Sequence, residues 1–233
     1  MRLAAIVLAR GGSQRIPRKN ARPFRGRPLI AWPTTAARDW GRFEKVWVST
    51  DCPDIEALAM GLGAESLGLR SSEAASHTAS TNQALKECLE RLAERGPLPD
   101  AVCCLYGSAA FVTPVHLQAA LETLVAGPFD LVFPVLRFGY PIWRALARDE
   151  AGQTGFVWPE HALTRSQDLP AAFHDAGQFY LFRPQVLLQT GALTGGRTGS
   201  IELPETHCHD IDNLVDWEMA EIKHARLTAG QEG

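Results

Sequence analysis

The stretch LAAIVLARGGSQRIPRKN, Leu3 to Asn20, is an apolar run that passes directly into two glycines and a cluster of cations. An uninterrupted apolar run ending at a glycine turn reads as a strand buried on both faces, the pattern of a parallel sheet covered by helices. The predicted strand is Leu3 to Ala9. The turn then leaves the strand's carboxyl end, where open α/β sheets bind their ligands. Gly11 and Gly12 let backbone N–H groups approach an anion, and Ser13 adds a hydroxyl. Arg10, Arg15, Arg18 and Lys19 put four cations within ten residues. Such a loop suits phosphate. It has neither the GxxxxGKS/T spacing of a nucleoside-triphosphatase loop nor the GxGxxG of a dinucleotide fold.

Outward from the loop, strand and helix alternate. Pro28 reads as a first helical residue, and Leu29 to Trp40 has helical apolar spacing, with Pro33 implying a late start or a kink. Lys45 to Thr50 (KVWVST) is β-branched and aromatic, a second strand, followed by a helix over Asp54 to Gly61. A short strand around Ala64 to Leu69, a helix over Asn82 to Glu94 and a fully apolar central strand over Asp100 to Tyr106 come next. Thr113 caps a predicted helix from Pro114 to Val125, and Phe129 to Leu136 supplies another strand. The alternation predicts a three-layer α/β fold with a mostly parallel central sheet and right-handed crossovers. From Arg137 to Gln178 it stops. That segment is rich in aromatics, prolines and isolated arginines, an excursion whose apolar surface needs a cover that a second subunit would supply. Gln178 to Phe182 resumes as a strand, and a helix is expected over Val215 to Thr228.

A chain of 233 residues, 45% hydrophobic and 21% charged, fits one α/β domain over 1–233. With a net charge of −3, and basic residues concentrated in one loop, a nucleic-acid surface is not expected. Met1 leads into a strand without a signal-peptide pattern and no apolar run approaches a membrane span, so a cytoplasmic protein with small-molecule partners is expected. The five cysteines show no disulfide framework or zinc spacing.

Near the end stands HDIDN, His209 to Asn213. In an extended segment Asp210 and Asp212 project together while Ile211 points into the core. Two carboxylates on one face suit a hard cation such as Mg²⁺, which takes one or two carboxylates plus phosphate oxygens and water. An N-cap role for Asp212 ahead of the last helix fits equally well. His207 and His209 fall on the opposite face, so zinc is not expected. His174 and Asp175, adjacent on an extended stretch, point to opposite faces and form no dyad.

Taken together, the loop, Ser49 to Asp51 (STD), Arg70, Arg165 to Tyr180 (RSQDLPAAFHDAGQFY) and HDIDN resemble the CMP-sialic acid synthetase (acylneuraminate cytidylyltransferase) family, in its order and over nearly the whole chain. PIWRA (Pro141 to Ala145) and the Arg165 to Tyr180 string look like its pseudaminic acid branch. The resemblance implies a Rossmann-like nucleotidyltransferase, CTP and Mg²⁺, and a homodimer formed through the excursion at about 137–178. It implies CMP transfer to the anomeric hydroxyl of a nine-carbon sugar acid, pseudaminic acid first, with sialic or legionaminic acid, or a weakly active or non-catalytic relative, as alternatives. It assigns the nucleotide to Arg10, Gly11, Gly12, Ser13, Arg18, Lys19, Asn20 and Arg70, with Arg10, Lys19 and Asp212 catalytic. The metal falls to Asp210 and Asp212. The sugar acid falls to Tyr106, Arg144, Arg165, Gly177 and Gln178, the two arginines as forks for its carboxylate. Without the resemblance, Arg70 reads as a surface arginine and Asp51 as a helix cap. The chain departs from the family at Gln14, where a lysine is usual, at Ser76 and His77, where an aspartate is usual, and at Ala110, where a proline is usual. Arg15, Arg18 and Lys19 are the cations that could replace the one missing at 14.

Overall fold

Leu3–Leu8 form β1, and none of the six is more than 8% exposed in a computed structural model that describes residues 1–76 and 78–229. His77 lies outside the described residues. In chain order the other strands are β2 (Pro23–Phe24), β3 (Arg27–Pro28), β4 (Lys45–Ser49), β5 (Glu65–Ser66), β6 (Ala101–Tyr106), β7 (Leu131–Arg137), β8 (Leu146–Arg148), β9 (Thr154–Phe156), β10 (Phe173–Asp175), β11 (Phe179–Phe182) and β12 (Thr198–Glu202). The helices are α1 (Ala31–Trp40), α2 (Pro53–Gly61), α3 (Thr81–Arg95), α4 (Pro114–Ala126), α5 (Pro184–Thr190) and α6 (Leu214–Ala229).

The main sheet runs β7-β11-β6-β1-β4-β5, and β10 and β12 also pair with β7. β1, β4, β5 and β6 are mutually parallel, and β12 is parallel to β7. β11 is antiparallel to both β6 and β7, as β10 is to β7. β10 comes back along the carboxyl half of β7 and β11 follows it along the amino half, so the chain returning from the excursion runs down β7 in the opposite direction.

Side chains alternate across β1 and so assign the layers. Leu3, Ala5 and Val7 pack with Ala37 of α1, Ile55 of α2 and Leu117 of α4. Ala4, Ile6 and Leu8 pack with Leu85 and Leu89 of α3 and Leu187 of α5. A third cluster, Ile16, Phe24, Leu29, Phe111, Ile211 and Trp217, joins the loop after β1 to the start of α6. That cluster holds the two ends of the chain's chemistry side by side.

Two details differ from the sequence reading. Pro28 pairs with Pro23 in the β2–β3 hairpin, and α1 begins at Ala31. Pro33 falls in the first turn, where its missing N–H has no intrahelical partner to lose. α5 and β12 lie in 183–208, a region without a clear period in the sequence. The excursion carries the β8–β9 hairpin outside the main sheet and exposes Tyr140 (78%) and Leu163 (97%). Among the described residues no helix is long and apolar enough to cross a membrane.

Candidate active site

The loop is fixed from the neighbouring strand end. Ala9 N donates to Ser49 O (3.1 Å), and Gly11 N donates to Asp51 Oδ1 (2.8 Å). Asp51 therefore serves the loop. It does not cap α2, whose N-cap residue Cys52 makes no side-chain cap bond. A Cβ at Gly11 would sit 2.7 Å from Cys52 Cβ, so glycine is required there by close packing. Its N–H is already engaged, which leaves Gly12 as the loop glycine facing the cleft. Asn20, 6% exposed, donates from Nδ2 to Arg10 O (3.0 Å), and the Arg10 guanidinium donates to Ala79 O (2.5 Å).

Arg70 is buried, 8% exposed, which corrects the reading of it as a surface residue. Its Nε donates to Ser49 Oγ (2.8 Å), and one terminal nitrogen donates to Ser49 O (2.6 Å) and Ala9 O (3.2 Å). Burial lowers its pKa from the usual value, yet a guanidinium starting so high remains charged. Arg70 thus ties the carboxyl ends of β1 and β4 together and carries a desolvated cation to the cleft wall.

The cleft, about 530 Å³, opens at the carboxyl ends of β1 and β6. It gathers Arg10, Gly12, Ser13, Lys19, Asn20, Arg70, Tyr106 and Asp212 from the residues singled out in the sequence, together with Gln14 and Arg15. Four cations (Arg10, Arg15, Lys19, Arg70) face one carboxylate, a balance that suits a polyanion. Lys19 reaches across to the last signature, donating from Nζ to Ile211 O (2.6 Å) and lying 3.9 Å from Asp212 Oδ1. Burial lowers its pKa, against the pull of Asp212 and Asp210. Arg15 pairs with Asp212 at 2.9 Å. Arg18 stands outside, 70% exposed at its side chain and paired with Asp54 at 2.8 Å.

Ile211 is fully buried, so the two aspartates flank an anchored residue. Asn213 caps α6: its Oδ1 accepts from Asp216 N (3.0 Å), and Asp216 Oδ2 accepts from Asp212 N and Asn213 N (both 2.9 Å). The Asp212 side chain is thereby free of capping. Asp212 lines the cleft, whereas Asp210 lies beside Gly177, with its pKa raised by burial and then by the charge of Asp212. Two oxygen donors that repel each other fit a hard cation. Among the described residues no three His, Cys, Asp or Glu side chains cluster.

Other expected sugar contacts lie off the cleft. Gly177 has φ +64°, and a Cβ there would stand 3.4 Å from Asp210 Oδ2. Gln178 is buried at 2% behind Tyr106, whose N donates to Gln178 O (3.1 Å). Arg165 is exposed and held by Asp168 at 2.7 Å, and Arg144 sits in a short 3-10 turn of the excursion. His174 and Asp175 make no side-chain pair: His174 Nδ1 meets the Asp175 carbonyl, while the Asp175 carboxylate accepts from Gly177 N and Tyr180 Oη. The sequence reading missed Thr81 and Ser108 on the cleft wall. The Ser80 to Gln83 capping box, with Gln83 N donating to Ser80 Oγ and Ser80 N to Gln83 Oε1, was a signal that would have started α3 at Thr81. Thr81 Oγ1 shares a hydrogen bond with Tyr106 Oη at 3.0 Å.

A family model described as cytidylyltransferase matches residues 4–190. A pseudaminic acid cytidylyltransferase from Campylobacter jejuni subsp. jejuni serotype O:23/36 (strain 81-176) is 34% identical over 222 residues, 95% of this chain and 96% of its own. An N-acylneuraminate cytidylyltransferase from Oncorhynchus mykiss is 33% identical over 226 residues, 97% of this chain and 51% of its own. Among solved structures, a CMP:2-keto-3-deoxy-manno-octonic acid synthetase complexed with CTP superposes with a TM-score of 0.67 at 17% identity, covering 97% of this chain and 99% of its own. At that identity the likeness establishes the fold.

Proposed function

The chain belongs to the cytidylyltransferase family, and from that premise we propose that it transfers CMP from CTP to the anomeric hydroxyl of a nonulosonic acid, pseudaminic acid first, as a cytoplasmic homodimer. The observation that carries this reading is the convergence of Arg10, Arg15, Lys19 and Arg70 on one cleft with Asp212 opposite them. The hydroxyl oxygen attacks the α-phosphorus, its proton passes to solvent, and the bond to the β-phosphate breaks to release pyrophosphate. No side chain needs to act as nucleophile. The protein's part is to position the triphosphate and to stabilise the charge that develops on its oxygens.

Gly12 and Ser13 offer close backbone approach to phosphate, and Arg10, Arg15, Lys19 and Arg70 supply charge held in place by backbone carbonyls and Asp212. Asp212, with Asp210 two residues before it, would hold Mg²⁺, which would supply positive charge toward the phosphate oxygens. Arg144 and Arg165 stand off the cleft, so any contact from them to the sugar carboxylate would come from the proposed second subunit. The decisive experiment is to incubate the protein with CTP, Mg²⁺ and pseudaminic, N-acetylneuraminic or legionaminic acid in turn and to measure pyrophosphate. Release with pseudaminic acid at the highest kcat/KM is expected. Release with none of them, alongside retained CTP binding, would replace the catalytic reading with a nucleotide-binding one.

A further inference from the structure

The turn that brings Gly107 and Ser108 to the cleft continues through Ala110–Thr113, and those residues line a second cavity of about 540 Å³ between α1, α4 and α6. Its volume falls within the range of small-molecule pockets. Trp32 of α1 and Phe111 of the turn give it flat aromatic walls, with Leu227 of α6 beside them. On one wall is Arg27, whose guanidinium stacks 3.6 Å over the Trp32 ring. Among the described residues Arg27 makes neither an ion pair nor a side-chain hydrogen bond, and its Nε is buried without a partner. The carboxylate on the wall, Asp39, is turned onto Arg38 at 2.7 Å.

A second unmatched group stands on the same wall. His224 is 6% exposed and packed among Trp32, Phe24 and Phe111, with ring centroids 4.1, 5.5 and 5.5 Å away. Among the described residues its Nδ1 is buried with no partner. Burial lowers its pKa, and the nearby Arg25 and Arg27 lower it further, which favours the neutral ring, and a neutral imidazole offers one nitrogen as an acceptor. Burial, followed by the charge of His207, holds His116 down to about 4. Among the described wall residues, Arg27 is thus a cation without an opposite charge against it.

An aromatic slot with an unpaired guanidinium and an unpaired imidazole acceptor has a specific complement. We propose that this cavity is a second small-molecule site, for a planar aromatic carboxylate that carries a ring N–H or O–H donor. The carboxylate pairs with Arg27, the ring lies against Trp32 and Phe111, and the donor meets His224 Nδ1. The site shares no wall residue with the cleft that holds the triphosphate.

Indole-2-carboxylate, which has all three features, is the probe, and indole-2-carboxamide is its neutral control. Calorimetric titration of the full chain is expected to give saturable one-to-one binding of the acid, with the amide about tenfold weaker. Saturating CTP should not displace the acid. Arg27→Gln should abolish the difference between acid and amide, and Ala36→Trp, which fills the cavity from α1, should abolish binding of both. Unchanged CTP binding by the two variants would show that each is folded. No saturable binding up to ~10 mM, equal affinities for acid and amide, or displacement by CTP would each overturn the proposal.

Discussion

The side chain of Asp212 is where the loop and the last signature meet, because Arg15 and Lys19 both point at its Oδ1. Asp212→Asn removes one carboxylate charge from a half-exposed position, so stability should change little while Mg²⁺-dependent turnover falls by about a hundredfold or more. Pyrophosphate release under limiting Mg²⁺, set beside a melting curve, checks both halves, and wild-type turnover would exclude the metal role. Gln14 sits on the cleft wall beside Arg15. Of the cations that could stand in for a lysine at 14, Arg18 is engaged with Asp54 and Arg15 faces the cleft. Gln14→Lys should therefore be no faster than the parent, whereas Arg15→Gln should lose about tenfold or more in kcat at saturating CTP. A faster Gln14→Lys variant would mean that the cation is missing. The spacing of cations in RGGSQRIPRKN could not separate Arg15 from Arg18, since the left-handed backbone at Arg18 (φ 54°) redirects that side chain. The roles of the STD residues were equally hidden, because hydrogen bonds from Arg70 to Ser49 and from Gly11 to Asp51 join parts of the chain far apart in sequence.

Elements with a local signal were legible within one to three residues. Thr113 before Pro114 starts α4, and Asn213 with Asp216 starts α6 at Leu214. Strand direction carries no such signal, which is why the extended nature of Phe179–Phe182 could be read and its antiparallel course could not. The first turn of α4 also gives this fold an acid-sensitive point. His116 lies with its ring 6.2 Å from that of His207, and burial, then His207, lowers its pKa from 6.5 to about 4. The unfolded chain then binds the extra proton between those values. The stability associated with neutral His116 is fully present above pH ~6.5 and is lost as pH falls toward ~4, amounting to about 1–2 kcal/mol after allowing for partial exposure. Urea titrations at pH 7 and pH 4.5 should show this loss in the parent and a smaller one in His116→Gln. Equal losses in both would place the acid sensitivity elsewhere.

At the scale of the whole molecule, the alternating pattern specified the layered sheet, and its failure between Arg137 and Gln178 marked a segment of which β10 alone among its strands joins the main sheet. There Tyr140 and Leu163 expose apolar surface of the kind a second copy would cover. Leu163→Glu combined with Tyr140→Ser should shift sedimentation equilibrium from dimer toward monomer while CTP binding persists. A parent chain that sediments as a monomer would remove the dimer from the proposal.

The antiparallel β11, wedged between β6 and β7, also dictates an order of assembly. β6 and β7 are both translated before the strand that joins them, and the whole excursion is made in between. At ordinary ribosomal speed the gap lasts a few seconds. During it β5, β4, β1 and β6 can associate, but the β6 edge, with Cys103 and Cys104 at its centre, stays open until Phe179–Phe182 emerges. A nascent chain paused within the excursion is thus a half-built sheet whose β6 edge is open to wrong pairing until Phe182 has been made.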